Sequence, residues 1–407
     1  MTQRPLRSYD VRERNEKLVL QLIQRADGIS QSEVSQSTGL KPPTVFRIFS
    51  QLESEGLIRE CSAERRTAGT KGRKPVFYCV VPESFYTIGV DFWAGSAAVV
   101  VLDFAGTTVH SRVVDTAVDV DAEEVMKALS SLINDAVSAG GLEPERVLGV
   151  GVGAPGIVDI RTGHVLRYPR IRGMNDYPVK DRLEEDIGRP VHVHNNTAVL
   201  TLGEYRYGLA TGQQSVLSVL IRSGVGGAFL QDGHILTNRG RTVLELGHMV
   251  LDPGGPPCES GLGGCLESYL SEAAIGEALR SAGYGDLEEA ERRFEAEGYA
   301  RLEASTSQRR ALLSQLVGSS RQLQDIALRF SQAIHSLSNL LNPECYLIVS
   351  RYRWLSQFLS TALDEYLDAD SPGLSEGAAE IVPQKYDPIR ACRGAADLVL
   401  DSFFARE

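Results

Sequence analysis

The run His194-Asn195-Asn196-Thr197-Ala198 follows an apolar stretch, "PVHVHN", and precedes a helix-like segment, "VLTLGEYRYG". α/β proteins bind their ligands at such a junction, outside the carboxyl end of a strand. The run offers two amides and no carboxylate. An amide orients a hydroxyl through hydrogen bonds but cannot accept its proton at neutral pH. The chemistry expected here is recognition without reaction. A second chemistry lies in "LKPPTVFRIFSQLESEGLI", whose outward positions are Lys41, Pro42, Thr44, Phe46 and Arg47. In a helix laid in a DNA major groove, Arg47 could read guanine and Phe46 could cover a thymine methyl. Phe46 serves equally well as a packed residue.

The elements that would hold these residues can be read from the pattern. In "NEKLVLQLIQRADG", Leu18, Val19, Leu22 and Ile23 form one helical face that ends near Gly28. Ser30 and Glu33 make a capping-box pair that starts a short helix, closed at Gly39. A third helix puts Val45, Ile48, Phe49 and Leu52 on one face, with Pro42 and Pro43 tolerated in its first turn. "LIREC" and "KPVFYCVV" are strand-like and flank a basic loop carrying Arg65, Arg66, Lys71, Arg73 and Lys74. Three helices and a basic-tipped hairpin make a winged helix-turn-helix, with the wing meeting phosphates or a minor groove. The alternative is a helical protein-docking module with a solvated loop.

Charge divides the chain at the same place. Residues 1–80 hold 14 Lys and Arg against 9 Asp and Glu, whereas the remainder holds 28 against 44. A basic head on an acidic body confines nucleic-acid contact to the head. The 407 residues suffice for two or three domains, and 43 % hydrophobic with 23 % charged residues is ordinary globular usage. No apolar run approaches the roughly 18–20 residues that span a bilayer, so no membrane insertion is expected. The charged start, "MTQRPLRSYDVRERNEK", is unlike a signal peptide. Six scattered cysteines point to a reducing compartment and no disulfide framework. A cytoplasmic protein is expected.

From about Tyr86, "YTIGVDF", "SAAVVVLDF" and "TTVHSRVVD" are successive strands, followed by a helix and the buried strand "RVLGVGVGAPG". A second strand cluster begins at "SVLSVLIRSGVGGAFLQDGHIL", long helices occupy roughly 266–340, and "CYLIVS" precedes a last helix, "ACRGAADLVLDSFF". Strands alternating with helices imply an α/β fold, and two clusters imply two lobes with a cleft between them.

These motifs in this order, "TGLKPPTVFRIFSQLESEGLI", "GVGAPGIVD", "HNNTAVLTLGE", "RSGVGGAFL" and "ELGHMVLDPGGPPCESGLGGCLESY", resemble the ROK family (repressor, open reading frame, kinase) over the whole chain. The resemblance implies a winged helix-turn-helix at 1–82 and a two-lobed actin-like ATPase fold. Its first lobe would span 83–198 and its second 199–385, with a helix at 386–407 returning to the first. Kinases of the family carry Asp-x-Gly-Gly-Thr after the first strand, but here Trp93 follows Asp91 and Phe92. Arg222 stands beside the second glycine loop, and Ser350-Arg351 replace the Gly-Gly of the adenosine pocket. Asn196 stands where those kinases have the catalytic Asp. A phosphoryl acceptor must lose its proton near the transition state, which an amide cannot arrange. The resemblance therefore implies no catalytic residue and no ATP, only a kinase-like cleft without kinase chemistry.

What the resemblance retains is binding. Asn195, Glu245, His248 and Glu267 match sugar contacts, and Asn196 and Arg170 lie beside them, with Arg170 and His194 adding donors or positive charge. A sugar or sugar derivative, including an acidic or phosphorylated one, is the expected effector. The zinc motif is incomplete: His248, Cys258 and Cys265 remain, and Ser260 replaces a thiolate, leaving open weaker zinc binding, a shift to Glu259, or a metal-free loop. The expected protein is a DNA-binding transcriptional regulator, most simply a repressor, acting on operator DNA as a homodimer or higher oligomer. An unusual sugar kinase and a regulator controlled by protein docking are the alternatives.

Overall fold

The computed structural model describes residues 8–62, 75–238, 243–258, 260–296, 320–370 and 379–405. At the amino-terminal end, α1 (Ser8–Arg25), α2 (Gln31–Thr38) and α3 (Pro42–Ser54) pack with a small antiparallel sheet of β1 (Ile29–Ser30), β2 (Ile58–Cys61) and β3 (Phe77–Val80), in the order β1-β3-β2. The Glu33 carboxylate accepts from the Ser30 N–H at 2.8 Å, and the Ser30 hydroxyl oxygen accepts from the Glu33 N–H at 3.3 Å. This capping box satisfies amides that the first turn leaves unpaired. Gly39, at φ +70°, ends α2, and Pro42 and Pro43 occupy the first turn of α3. Val45, Ile48, Phe49 and Leu52 are buried as the spacing predicts. On α1 the buried set is Val19, Leu20 and Ile23, with Leu18 and Leu22 half-buried. The face is broader than a single stripe because α1 is covered on two sides, by the other helices and by the body. The basic residues Arg65, Arg66, Lys71, Arg73 and Lys74 lie outside the described residues.

One expectation about the cysteines changes. Cys61 opposes Phe77 in the β2–β3 ladder and Cys79 lies two positions on, so both thiols emerge on one face. Their Cα atoms are 5.9 Å apart and they form a disulfide across the base of the wing. Cys258, Cys265, Cys345 and Cys392 are free.

The body holds two five-stranded sheets. The first comprises β4 (Tyr86–Trp93), β5 (Ser96–Asp103), β6 (Thr108–Asp115), β7 (Val147–Ala154) and β10 (Val191–Asn195), in the order β10-β7-β4-β5-β6. β4, β5 and β6 form an antiparallel meander, and β7 and β10 join in parallel. Helix α4 (Ala122–Ala139), a small hairpin of β8 (Ile157–Asp159) and β9 (His164–Arg167), and α5 (Val179–Ile187) link its strands. Helix α6 (Asn196–Tyr207) leads out of β10. The second sheet comprises β11 (Ser215–Ile221), β12 (Val225–Gln231), β13 (His234–Ile235), β14 (Cys345–Ser350) and β15 (Glu380–Lys385), in the order β13-β12-β11-β14-β15. β15 contains Pro383, which an edge strand tolerates and which hides the strand from pattern reading. Among the described residues, the helical stretch expected over roughly 266–340 contains α7 (Leu266–Leu270), α8 (Glu272–Ser281), α9 (Leu287–Ala296) and α10 (Arg321–Leu341). The break after α7 falls at Ser271, whose side chain caps α8. Helix α11 (Arg353–Asp370) packs over β14 and β15.

The last helix, α12 (Pro388–Phe404), lies on the first sheet and against α6. Its backbone comes so close to β4 and β7 that a Cβ on Gly89 or Gly151 would strike the carbonyls of Cys392 or Ala395. At its far end, Leu400 and Phe404 join Phe104 in one buried cluster with Val19, Leu20 and Ile23 of α1. Phe85 and Phe104 meet edge to face at 5.3 Å, and Gln24 Nε2 donates to the Phe104 carbonyl at 3.2 Å. The head therefore sits on the body through a shared apolar seam. No helix among the described residues is long and apolar enough to cross a membrane.

The cysteine arrangement sets a thiol count. Protein purified and denatured without reductant should react with four equivalents of a thiol reagent per chain, rising to six after reduction. Six reactive thiols before reduction would contradict the pairing of Cys61 with Cys79.

Candidate functional site

On the head, Lys41, Pro42, Phe46 and Arg47 are exposed along the amino-terminal half of α3, and Thr44 is half-buried. Phe46 is 61 % exposed, so it is not a packing residue of the head. The Phe46 ring stands in water beside the exposed Lys41 and Arg47.

The second candidate site is a cleft between the two sheets, with an open volume of about 890 Å³. All six residues expected to hold an effector line it: Arg170, Asn195, Asn196, Glu245, His248 and Glu267. They come from four separate segments. Asn195 ends β10 and caps α6; its Oδ1 accepts from Thr197 N–H and its Nδ2 donates to the Gly156 carbonyl, both at 2.8 Å. Its amide therefore spends much of its capacity on the fold. The Asn196 side-chain amide has no hydrogen-bond partner among the described residues, which makes it the freer of the two toward a ligand. Glu267 is anchored by the Val225 N–H at 3.1 Å. Glu245 has accessible surface, but that surface opens onto the cleft. Desolvation by the walls, and then the Glu267 carboxylate, push it up to about 7. Arg170 reaches across the opening and donates to the Ser223 carbonyl at 2.7 Å.

His194 departs from expectation. It is buried, is absent from the cleft lining, and accepts the Asn195 N–H on Nδ1 at 2.8 Å. Burial pushes its pKa down to about 4, so it is neutral at pH 7 and adds no positive charge. The retained glycines also have a packing reason. A Cβ on Gly226 would meet the Thr197 side chain, one on Gly227 the Leu246 side chain, and one on Gly224 the Glu267 carboxylate.

At the back of the cleft, between the loop after β4 and the glycine loop after β11, the space holds side chains. The Arg222 guanidinium lies 4.4 Å from the centre of the Trp93 ring and 4.6 Å from that of Tyr386. The two rings meet edge to face at 5.4 Å. The Tyr386 hydroxyl donates to Asp91, which is fully buried. Burial pushes Asp91 up to about 7, against the pull of the Arg222 charge and the Tyr386 hydrogen bond. Trp93 ends β4, and only Ala94 and Gly95 separate it from its paired residue, Ser96. The first loop is thus a tight hairpin turn with a bulky shoulder. Tyr386 went unnoticed in the sequence; it lies in no motif and reaches the site by following β15, with its N–H on the Ser350 carbonyl at 2.7 Å. Ser350 is buried, Arg351 pairs with Glu272 at 3.4 Å, and the Tyr352 hydroxyl donates to Glu288 at 2.7 Å.

His248, Cys258 and Cys265 bring one nitrogen and two sulfurs within 4.8 Å of one another. Cys258 Sγ is 3.5 Å from His248 Nδ1, and Ser260 Oγ is 3.4 Å from Cys265 Sγ. Glu259 lies outside the described residues. Three converging soft donors with a hydroxyl beside them fit a zinc ion held by three protein ligands, with the fourth position open to oxygen.

A winged helix-turn-helix joined to a two-lobed actin-like kinase fold is a defined class of protein. The chain belongs to the ROK family, which it matches over residues 87–402, and it matches winged helix-turn-helix DNA-binding domains over residues 12–59. It is 23 % identical to the xylose repressor of Caldicellulosiruptor bescii, over 88 % of each chain. It is 29 % identical to the glucokinase of Thermotoga maritima, over 64 % of this chain and 80 % of that one. A solved ROK family transcriptional regulator, described as a homolog of the Escherichia coli Mlc protein, superposes with a TM-score of 0.73, covering 97 % of both chains at 22 % identity.

The Asp91 environment has a measurable consequence. Its carboxyl holds a proton more tightly in the folded chain than at its ordinary value of 3.8, so the folded state binds the extra proton. That stabilisation is complete below about pH 4 and is lost as pH rises to about 7. Replacing Asp91 with Asn should remove this slope, and thermal unfolding at pH 5 and pH 8 should show the variant gaining on the wild type at the higher pH. An unchanged difference between the two pH values would refute the buried protonated carboxyl.

Proposed function

We propose that the chain is a DNA-binding transcriptional repressor whose kinase-like cleft serves as a receptor for a sugar-like effector. The observation that carries this reading is the seam between the two candidate sites. The head that presents Phe46 and Arg47 is packed through α1 onto the last turns of α12, whose first turn follows Tyr386 at the back of the cleft. Over 17 residues α12 spans about 25 Å, at ~1.5 Å per residue.

A polar route runs parallel to it. Helix α6 starts at the cleft with Asn196 and carries Arg206 near its end, which pairs with Asp397 at 3.0 Å and Asp401 at 2.7 Å. Asp401 also meets Arg25 of the head at 3.3 Å. An effector that binds one lobe arrangement better than another would shift the orientation of the heads. An effector with equal affinity for both would shift nothing. One head covers a half-site, so a two-fold homodimer reading an inverted repeat is the economical assembly.

The kinase alternative is weaker on chemical grounds. Asn196 has no proton-accepting carboxylate, and the Trp93–Arg222–Tyr386 stack fills the space between the two loops. His248, Cys258 and Cys265 would hold a zinc ion, with Ser260 or water in the remaining position. The ion would supply a structural tie for the loop that carries His248 into the cleft.

Binding to DNA from upstream of the protein's own gene, followed by fluorescence anisotropy, tests the head. Replacing Arg47 with Ala should cost about 1–3 kcal/mol if it contacts a base in bidentate fashion, with most of the loss at one position of the half-site. Equal affinity for the variant would remove Arg47 from the interface. Sugar-dependent ATP turnover should be undetectable in the wild type; turnover lost on replacing Asn196 with Ala would favour the kinase.

A further inference from the structure

We propose that the effector carries an oxyanion, a phosphate or carboxylate group, bound by Arg222 and Arg170 at the seam between the two sheets. This rests on the reading of the cleft as an effector site and specifies the chemical class of its ligand.

Arg222 is 7 % exposed and lines the cleft at the end of β11. Its guanidinium sits beside both the Trp93 and Tyr386 rings, which stand nearly perpendicular to one another and attract its charge. Its buried Nη1 has no hydrogen-bond partner among the described residues. Leaving such a donor unsatisfied is costly, and more so for a charged group. The nearby acid, Asp91, offers little countercharge, because burial favours its protonated form up to about pH 7. The Asp91 carboxylate is also engaged by the Tyr386 hydroxyl.

The surroundings strengthen the case. Arg170 approaches Arg222's neighbour Ser223 from the segment after β9, so the two guanidinia come from opposite sides of the opening. Glu272 lies within the attraction of Arg351, Arg222 and Arg170 together, opposed by the Glu288 carboxylate. Glu245 and Glu267 line the same cleft, Glu267 on the Val225 N–H two residues beyond Ser223, and burial, then the Glu267 carboxylate, raise Glu245. A ligand in the cleft meets carboxylates and the Asn196 amide, which suit hydroxyls, together with guanidinia, which suit an oxyanion. A neutral sugar would leave Arg222 buried without a partner. An anion between Arg170 and Arg222 would tie the two sides of the opening together, giving the ligand a reason to prefer the closed arrangement.

The experiment is calorimetry and operator release on the full-length protein. The probes are neutral pentoses, hexoses and N-acetylhexosamines, their phosphates and corresponding sugar acids, and inorganic phosphate. The variants are Arg222→Met, Arg222→Lys and Arg170→Gln, each checked for an unchanged melting profile. The expected result is one phosphorylated or acidic sugar that binds and releases DNA at least tenfold better than its neutral parent. Arg222→Met should erase that preference, Arg222→Lys should restore part of it, and Arg170→Gln should weaken it in the same direction. A neutral sugar that binds and releases DNA as well as its anionic forms, equally in Arg222→Met, would overturn the anion site and leave the effector reading standing. Release by inorganic phosphate alone, dependent on Arg222, would support the anion site and overturn the sugar. Binding by no probe would overturn both.

Discussion

Helix α12 can rest on the first sheet only because glycines at positions 89 and 151 let backbone touch backbone. A side chain at either place would run into the carbonyls of Cys392 or Ala395. The same closeness recurs on the other side, where Gly394 meets the Val199 carbonyl and Gly203 the Arg390 carbonyl. Such contacts leave no layer of flexible side chains to absorb movement. Sheet, α6 and α12 must therefore move as one piece. That piece carries Asn196 at one end and the seat of the DNA-binding head at the other, so a change in the cleft has no soft joint in which to dissipate.

The cleft itself is shaped by electrostatics more than by volume. Burial suppresses charge at His194 and Asp91, and burial together with the neighbouring Glu267 carboxylate raises Glu245. The Arg222 guanidinium stays charged, since guanidinium does not deprotonate in proteins, and it has been given aromatic faces in place of water. In a site built for phosphoryl transfer the phosphates would be met by bare backbone amides. Here bulky rings and a fixed cation occupy that ground.

Much of this was legible from residue order because it depends on local chemistry. The Ser30–Glu33 capping pair, the Pro-opened α3 and the Val45–Ile48–Phe49–Leu52 stripe are set within a turn or two of chain, and each forms as the spacing predicts. The gathering of Arg170, Asn195, Asn196, Glu245, His248 and Glu267 around one cleft followed from motif order, since the ROK fold fixes which loops meet. Trp93 and Arg222 were visible as bulky departures from that pattern.

Other features depend on distance through space, for which linear order has no signature. Tyr386 lies 295 residues from Asp91 and in no motif, yet it completes the wall behind the cleft. Cys61 and Cys79 read as scattered thiols until the hairpin register put them on one face. His194 read as a source of charge, but its protonation is set by how much water reaches it, and the strand end it occupies is dry. Residue types and spacing thus specified which groups were present and which elements carried them. Their ionisation, their partners and the link from cleft to head were settled by burial and close packing, which arise only when segments far apart in the chain exclude water together.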